Sequence, residues 1–253
     1  GGTKSVPPDR EEAAPGSAPL PGVEQVFGVP NQASVGRQVR LVWDMVEDGG
    51  TTRKLGVSRP LPGGPERLGA WSPGRWALRP EGLTLLAELE ERSDFTGTSR
   101  GPHLALPAPL NLEKPVLIRL RVRPGDHRPE GHLVAVSVRG YHLLLACDPF
   151  QPRAWFGSGD LGALLRHVEN GATELPGTFR ERPFKGLTDG EVATIELELG
   201  PSSLERARVN GEVLDFPRFL EKAAAAGDVV RLRSAKPMTL LDAELRGTRR
   251  ARR

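Results

Sequence analysis

The sequence predicts an all-β fold of antiparallel strands, each with one buried and one solvated face, and three observations carry that reading. From Gln38 onward, apolar residues recur with period two. The chain holds 30 Gly and 24 Pro in 253 residues, the supply of turn formers that many short strands require. Helical features are confined to two segments, which do not alternate with strands as a parallel βαβ sheet demands.

The first residues, GGTKSVPPDREEAAPGSAPLPG, combine Pro, Ala, Gly and charge with almost nothing to bury. Residues 1–36 therefore read as a disordered linker, mobile up to about Val35. Two readings of it stand: a stalk tethering the domain to a membrane anchor or another domain, and a frayed terminus. Residues 37–247 then form the predicted folded unit, and residues 248–253 a basic tail.

Strands are predicted at QVRLVWDM, RWALRP and GLTLLAEL, separated by Gly and Pro turns. In PVLIRLRVRP the pattern is clearest, with Val116, Ile118, Leu120 and Val122 opposite Arg119, Arg121 and Arg123. HLVAVSVRG and YHLLLACD follow. ATIELELG sets Ile195, Leu197 and Leu199 against Glu196 and Glu198, and VVRLRS and TLLDAELRG complete the series. The buried set is predicted to include Ile118, Leu120, Val136, Ile195, Leu197, Val209, Leu232 and Leu245, on two antiparallel sheets packed face to face.

SGDLGALLRHVENG reads as a helix capped by Asp160 and terminated at Gly171. FPRFLEKAAAAGD reads as a second helix, on the propensity of its alanines, ending at Gly227. Between them lies LERARVNGEVLDF, in which Asn210-Gly211 supplies the two left-handed positions of a type I′ hairpin turn.

Composition limits the function classes. A net charge of +3 arises from 35 basic and 32 acidic residues interspersed along the chain, so little directed field results. The basic cluster from Arg246 to Arg253 reads as a tail, and no basic patch with interleaved aromatics accompanies it; nucleic acid is not an expected partner. Cys147, the single cysteine, excludes an internal disulfide and a thiolate zinc cluster. The five histidines, His103, His127, His132, His142 and His167, do not stand at metal-ligand spacings. No cofactor or metal is expected, and no window reaches the roughly 18 consecutive apolar residues of a membrane span.

The order DGEVATIELELGPSSLERARVNGEVLDF, insert, GDVVRLRSAKPMTLLDAELRG resembles the carboxyl half of concanavalin A-like lectin/glucanase jelly rolls. The bacterial 3-keto-disaccharide hydrolase-like domains are the nearest likeness. WSPGRWALRPEGLTLLAE is similar to their opening strand pair, and VLIRLRVRPGDHRPEGHLVAVSVRGYHLLLACD to their middle strands. The resemblance spans roughly residues 71–247. It implies a two-sheet jelly-roll sandwich with one or two short helices in insertions, and it permits hydrolysis of modified disaccharides; the sequence leaves the compartment open, with an extracytoplasmic setting favoured.

Glycosidase chemistry of the laminarinase type requires E-x-D-x-x-E on one strand, which the sequence lacks. Glu196 and Glu198 read instead as the wet face of a strand. The expected function is a non-catalytic recognition module for carbohydrate or a protein partner, with an enzyme or a purely structural sandwich as alternatives. Sugar binding needs aromatic faces with polar neighbours. Residues 150–184 form an insert longer than a simple hairpin loop, and in it Trp155 is the candidate exposed ring, with Asp148, Arg153, Asp160 and His167 as a polar rim. Trp43 and Trp76 are expected to pack in the core.

Overall fold

The computed structural model describes residues 31–35, 37–44, 76–79, 81–85, 103–106, 110–125, 132–147, 151–171, 174–223, 230–234 and 238–250. Residues 1–30 of the predicted linker, His127 and Asp148 lie outside them. The described elements are β1 (Asn31–Val35), β2 (Gln38–Asp44), β3 (Trp76–Arg79), β4 (Gly82–Leu85), β5 (His103–Leu106), β6 (Val116–Pro124), β7 (His132–Val138), β8 (Tyr141–Cys147) and β9 (Arg153–Ser158). They continue with helix α1 (Leu161–Asn170), then β10 (Arg180–Pro183), β11 (Ala193–Leu199), β12 (Leu204–Val209), β13 (Glu212–Val213), β14 (Val230–Ser234) and β15 (Met238–Thr248).

Two antiparallel sheets pack face to face. Sheet A runs β1-β2-β15-β6-β11-β12-β13, with the β3-β4 pair joined to β15, and sheet B runs β10-β9-β8-β7-β14-β5. β15 organises sheet A. Its Thr239 and Leu240 pair with β4, a bulge at Leu241 follows, and from Asp242 the same edge pairs with β2 while the other edge stays on β6.

The predicted inward set is buried throughout: Ile118, Leu120, Val136, Ile195, Leu197, Val209, Leu232 and Leu245 are each at most 1 % exposed. Alternation explains it, since residues two apart share a face and the apolar face of each sheet meets the other. The Asn210-Gly211 hairpin forms as read, with φ of 52° and 80°. Arg139-Gly140 makes an equivalent turn between β7 and β8, with φ of 54° and 79°. Arg139 tolerates the left-handed conformation in company with two hydrogen bonds of 2.7 Å, from Nη1 to the Gly200 carbonyl and from Nη2 to that of Pro201.

The structure corrects two expectations. β1 lies inside the segment read as linker, paired with β2 from Asn31↔Val42 to Val35↔Gln38. Its sequence NQASV has little apolar alternation, because an edge strand can be held by the backbone ladder alone. Residues 216–223 form no helix. There the Leu204 N–H donates to the Arg218 carbonyl at 2.6 Å and the Leu220 N–H to that of Ser202 at 3.0 Å, so an extended strap pairs with the start of β12. Phe216 and Leu220 anchor it in the core.

Helix α1 forms with the predicted caps. Asp160 accepts from the Gly162 N–H at 2.8 Å, and Gly171, at φ 64°, donates to the His167 carbonyl. Leu161, Leu164, Leu165 and Val168 make one apolar stripe. That stripe packs with Ala135, Leu144, Ala146, Trp155 and Phe179 in a second core on the outer face of sheet B.

Candidate functional site

The insert around Trp155 is built as structure. Trp155, expected to be exposed, is 5 % exposed in the second core. The reason is α1, whose leucines cover the face of β9 that a bare loop would have left to solvent; the indole Nε1 is buried without a hydrogen-bond partner. Arg153 lies two residues earlier on the same strand face and pairs with Glu181 at 2.9 Å. Asp160 and His167 stand near opposite ends of α1, the first capping it and the second in its last turn. Of the predicted rim, the structure therefore brings together Arg153 and Trp155 alone on one strand.

A cleft of about 150 Å³ opens elsewhere, at the sheet B edge, lined by Tyr141, Phe156, Thr178, Arg180, Phe219 and Glu221 among others. Tyr141 and Phe156 form its buried aromatic wall, their rings 6.2 Å apart and stacked. The Tyr141 hydroxyl donates to the Glu221 carbonyl at 2.6 Å, tying the strap to β8. On that strap Phe219 is 76 % exposed, beside the exposed Arg180 and Glu221. Gly157 permits the opposite wall. A Cβ there would lie 2.6 Å from Phe179 Cα, so the segment carrying Thr178 and Arg180 could cross no other residue this closely. Thr178 Oγ1 is already engaged, accepting from the Ser158 N–H at 2.8 Å.

Sequence reasoning missed Phe219 because it read FPRFLEKAAAAGD, residues 216–228, as a helix, of which residues 224–228 lie outside the described ones. The Asp at 215 and the Pro at 217 fit a helix start as well as a loop, so the local sequence held no sign of the strap.

On the outer face of sheet B, β14, β7 and β8 assemble a polar cluster. Arg231 is opposite Ser137 and Arg233 opposite Ala135, while Ser137 is opposite His142. Arg233 Nη1 donates to Ser137 Oγ at 3.2 Å, and Ser137 Oγ lies 2.8 Å from His142 Nδ1. Burial and then the charge of Arg233 push His142 down to about 4, against a favourable hydrogen bond to the Gly159 backbone. A neutral ring satisfies the chain, with Nδ1 accepting from the Ser137 hydroxyl.

The outer face of sheet A is a ladder of ion pairs: Arg40 with Glu244 at 2.7 Å, Arg121 with Asp242 at 2.7 Å, Arg206 with Glu198 at 3.5 Å and Arg119 with Glu196 at 3.7 Å. Glu196 and Glu198 are thus paired, as a wet strand face implies.

By sequence, no protein-family model and no curated protein matches the chain. Solved structures do match. The carbohydrate recognition domain of Emp46p, in a metal-free form, aligns with a TM-score of 0.51 at 13% identity, over 80% of this chain and 93% of that one. That of Emp47p aligns with a TM-score of 0.50 at 11% identity, over 86% and 97%. Sheep galectin-11 aligns with a TM-score of 0.38 at 7% identity, over 56% and 95%. The fold is a two-sheet jelly roll like that of the Emp46p and Emp47p domains. Both sheets, their antiparallel pairing and the single described helix agree with the jelly roll read from the sequence.

Proposed function

We propose that the domain is a carbohydrate-recognition module in which the sugar stacks on Phe219 at the mouth of the cleft. The observation that carries this reading is one phenyl ring, 76 % exposed, flanked by a guanidinium and a carboxylate. An aromatic face takes the C–H side of a pyranose while Arg180 and Glu221 orient its hydroxyls. The likeness to domains named for carbohydrate recognition supports it at the level of fold. Within this proposal the Pro/Ala/Gly-rich composition of residues 1–22 suits a tether.

The site expected around Trp155, Arg153, Asp148, Asp160 and His167 is the competing placement, and it requires α1 to leave the face of sheet B. The hydrolase alternative requires two converging carboxylates, whereas Glu221 is the one acidic residue among those lining the cleft. A protein partner would use Phe219 as an anchor instead of a stacking platform. A glycan array probed with the native domain and with Phe219→Ala decides among them. Glycan signals lost on that substitution support the proposal, and signals lost on Trp155→Phe but kept by Phe219→Ala overturn it in favour of the insert. A blank array for the native domain removes the sugar reading.

A further inference from the structure

Arg233 is 4 % exposed. Its Nε is buried without a hydrogen-bond partner, and among the described residues it forms no ion pair. A guanidinium taken out of water without a counter-charge is among the costlier arrangements a fold can hold. Its electrostatics agree. Burial, and then the charge of Arg231, pull Arg233 down to about 10, so it stays protonated at neutral pH. Arg40, by contrast, is raised by its hydrogen bond with Glu244. A carboxylate partner of that kind would shift Arg233 the same way.

Two arginines of β14 concentrate donors at this point, beside Ser137 of β7. Arg231 shares the face of Arg233 and is partly exposed, which places it where the cluster meets solvent. Ser137, 6 % exposed, fixes one guanidinium nitrogen, and Nε, on the guanidinium edge, is buried without a partner. That edge of an arginine fits two oxygens of one planar or tetrahedral anion.

We propose that Arg233, with Arg231 beside it and Ser137 holding it in place, receives an oxyanion on the outer face of sheet B between β14, β7 and β8. The ligand is a sulfate, phosphate or carboxylate group, free or borne by a larger molecule. The inference is independent of the cleft and of the sugar reading.

Thermal unfolding of the native domain, Arg233→Met and Arg233→Lys in sodium sulfate, phosphate or glucuronate, against chloride at equal ionic strength, tests it. The native midpoint should rise saturably with at least one oxyanion. Arg233→Met should lose that anion-specific rise while unfolding in chloride no earlier than the native domain, since the charge removed has no ion-pair partner among the described residues. Arg233→Lys, which keeps the charge without the fork, should require more anion for the same rise. Saturation at lower glucuronate than sulfate or phosphate assigns the anion to an acidic sugar, and the reverse order to an inorganic ion. Equal rises in native and Arg233→Met, which bulk salt effects alone would give, overturn the proposal. So does no rise in any oxyanion, or a chloride midpoint for Arg233→Met well below the native one.

Discussion

Ser137 Oγ and His142 Nδ1 lie 2.8 Å apart, one residue on β7 and its register partner on β8, and the imidazole so held is buried beside an arginine. Protonation would put a positive charge in a buried position, and next to the Arg233 guanidinium. Arg231 adds a second unfavourable charge, and Asp160 and the Gly159 backbone give partial relief.

Stability should therefore fall on acidification. With the folded value near 4 and the ordinary one 6.5, the unfolded chain takes the proton first. The contribution of neutral His142 is complete above about pH 6.5 and is lost as pH falls to about 4, amounting to about 3 kcal/mol. Urea unfolding across that range, with His142→Gln as the control, should show the slope in the native domain and its loss in the variant.

Glu244 should act in a lower window. Burial favours its neutral form, but hydrogen bonds from Arg40 and Arg246 outweigh this and hold it below the ordinary carboxylate value of 4.5. Its contribution is present above that value and is lost only as pH falls further. Glu244→Gln should lower stability at neutral pH by about 1 to 3 kcal/mol, measurable as an earlier urea midpoint with unchanged slope.

Trp155→Ala should unfold the domain more readily, by about 3 to 5 kcal/mol. The indole is 5 % exposed and joins β9 to the leucines of α1, so truncation leaves a cavity under the helix. A thermal midpoint within a degree of native would mean that α1 does not rest on this side chain.

Phe219→Ala should do the opposite. A ring that is 76 % exposed contributes little to folding, so the midpoint should stay close to native. Affinity for the glycan identified on the array should drop by about 1 to 4 kcal/mol, read by calorimetry.

Much of the fold was legible because strand identity is local. In residues 116–124 the buried pattern alternates as the letters do, and Asn210-Gly211, Asp160 and Gly171 act through their own backbone neighbourhoods. The run Leu143-Leu144-Leu145-Ala146 also held a sign that was not used. Four apolar residues without alternation mark a strand covered on both faces, and Leu144 and Ala146 do face α1.

By itself, the sequence determined an antiparallel all-β chain, the inward face of its main strands, one capped helix and one tight hairpin, since each depends on residues within a few positions of one another. Tertiary structure alone decided that α1 covers Trp155, that residues 216–223 run as a strap and leave Phe219 exposed, and that Arg233 meets Ser137 and His142. Those outcomes depend on which surfaces meet across 96 residues for Arg233 and Ser137 and 80 for Tyr141 and Glu221. Burial is a property of what packs against a side chain, and periodicity within one strand does not carry the identity of that partner.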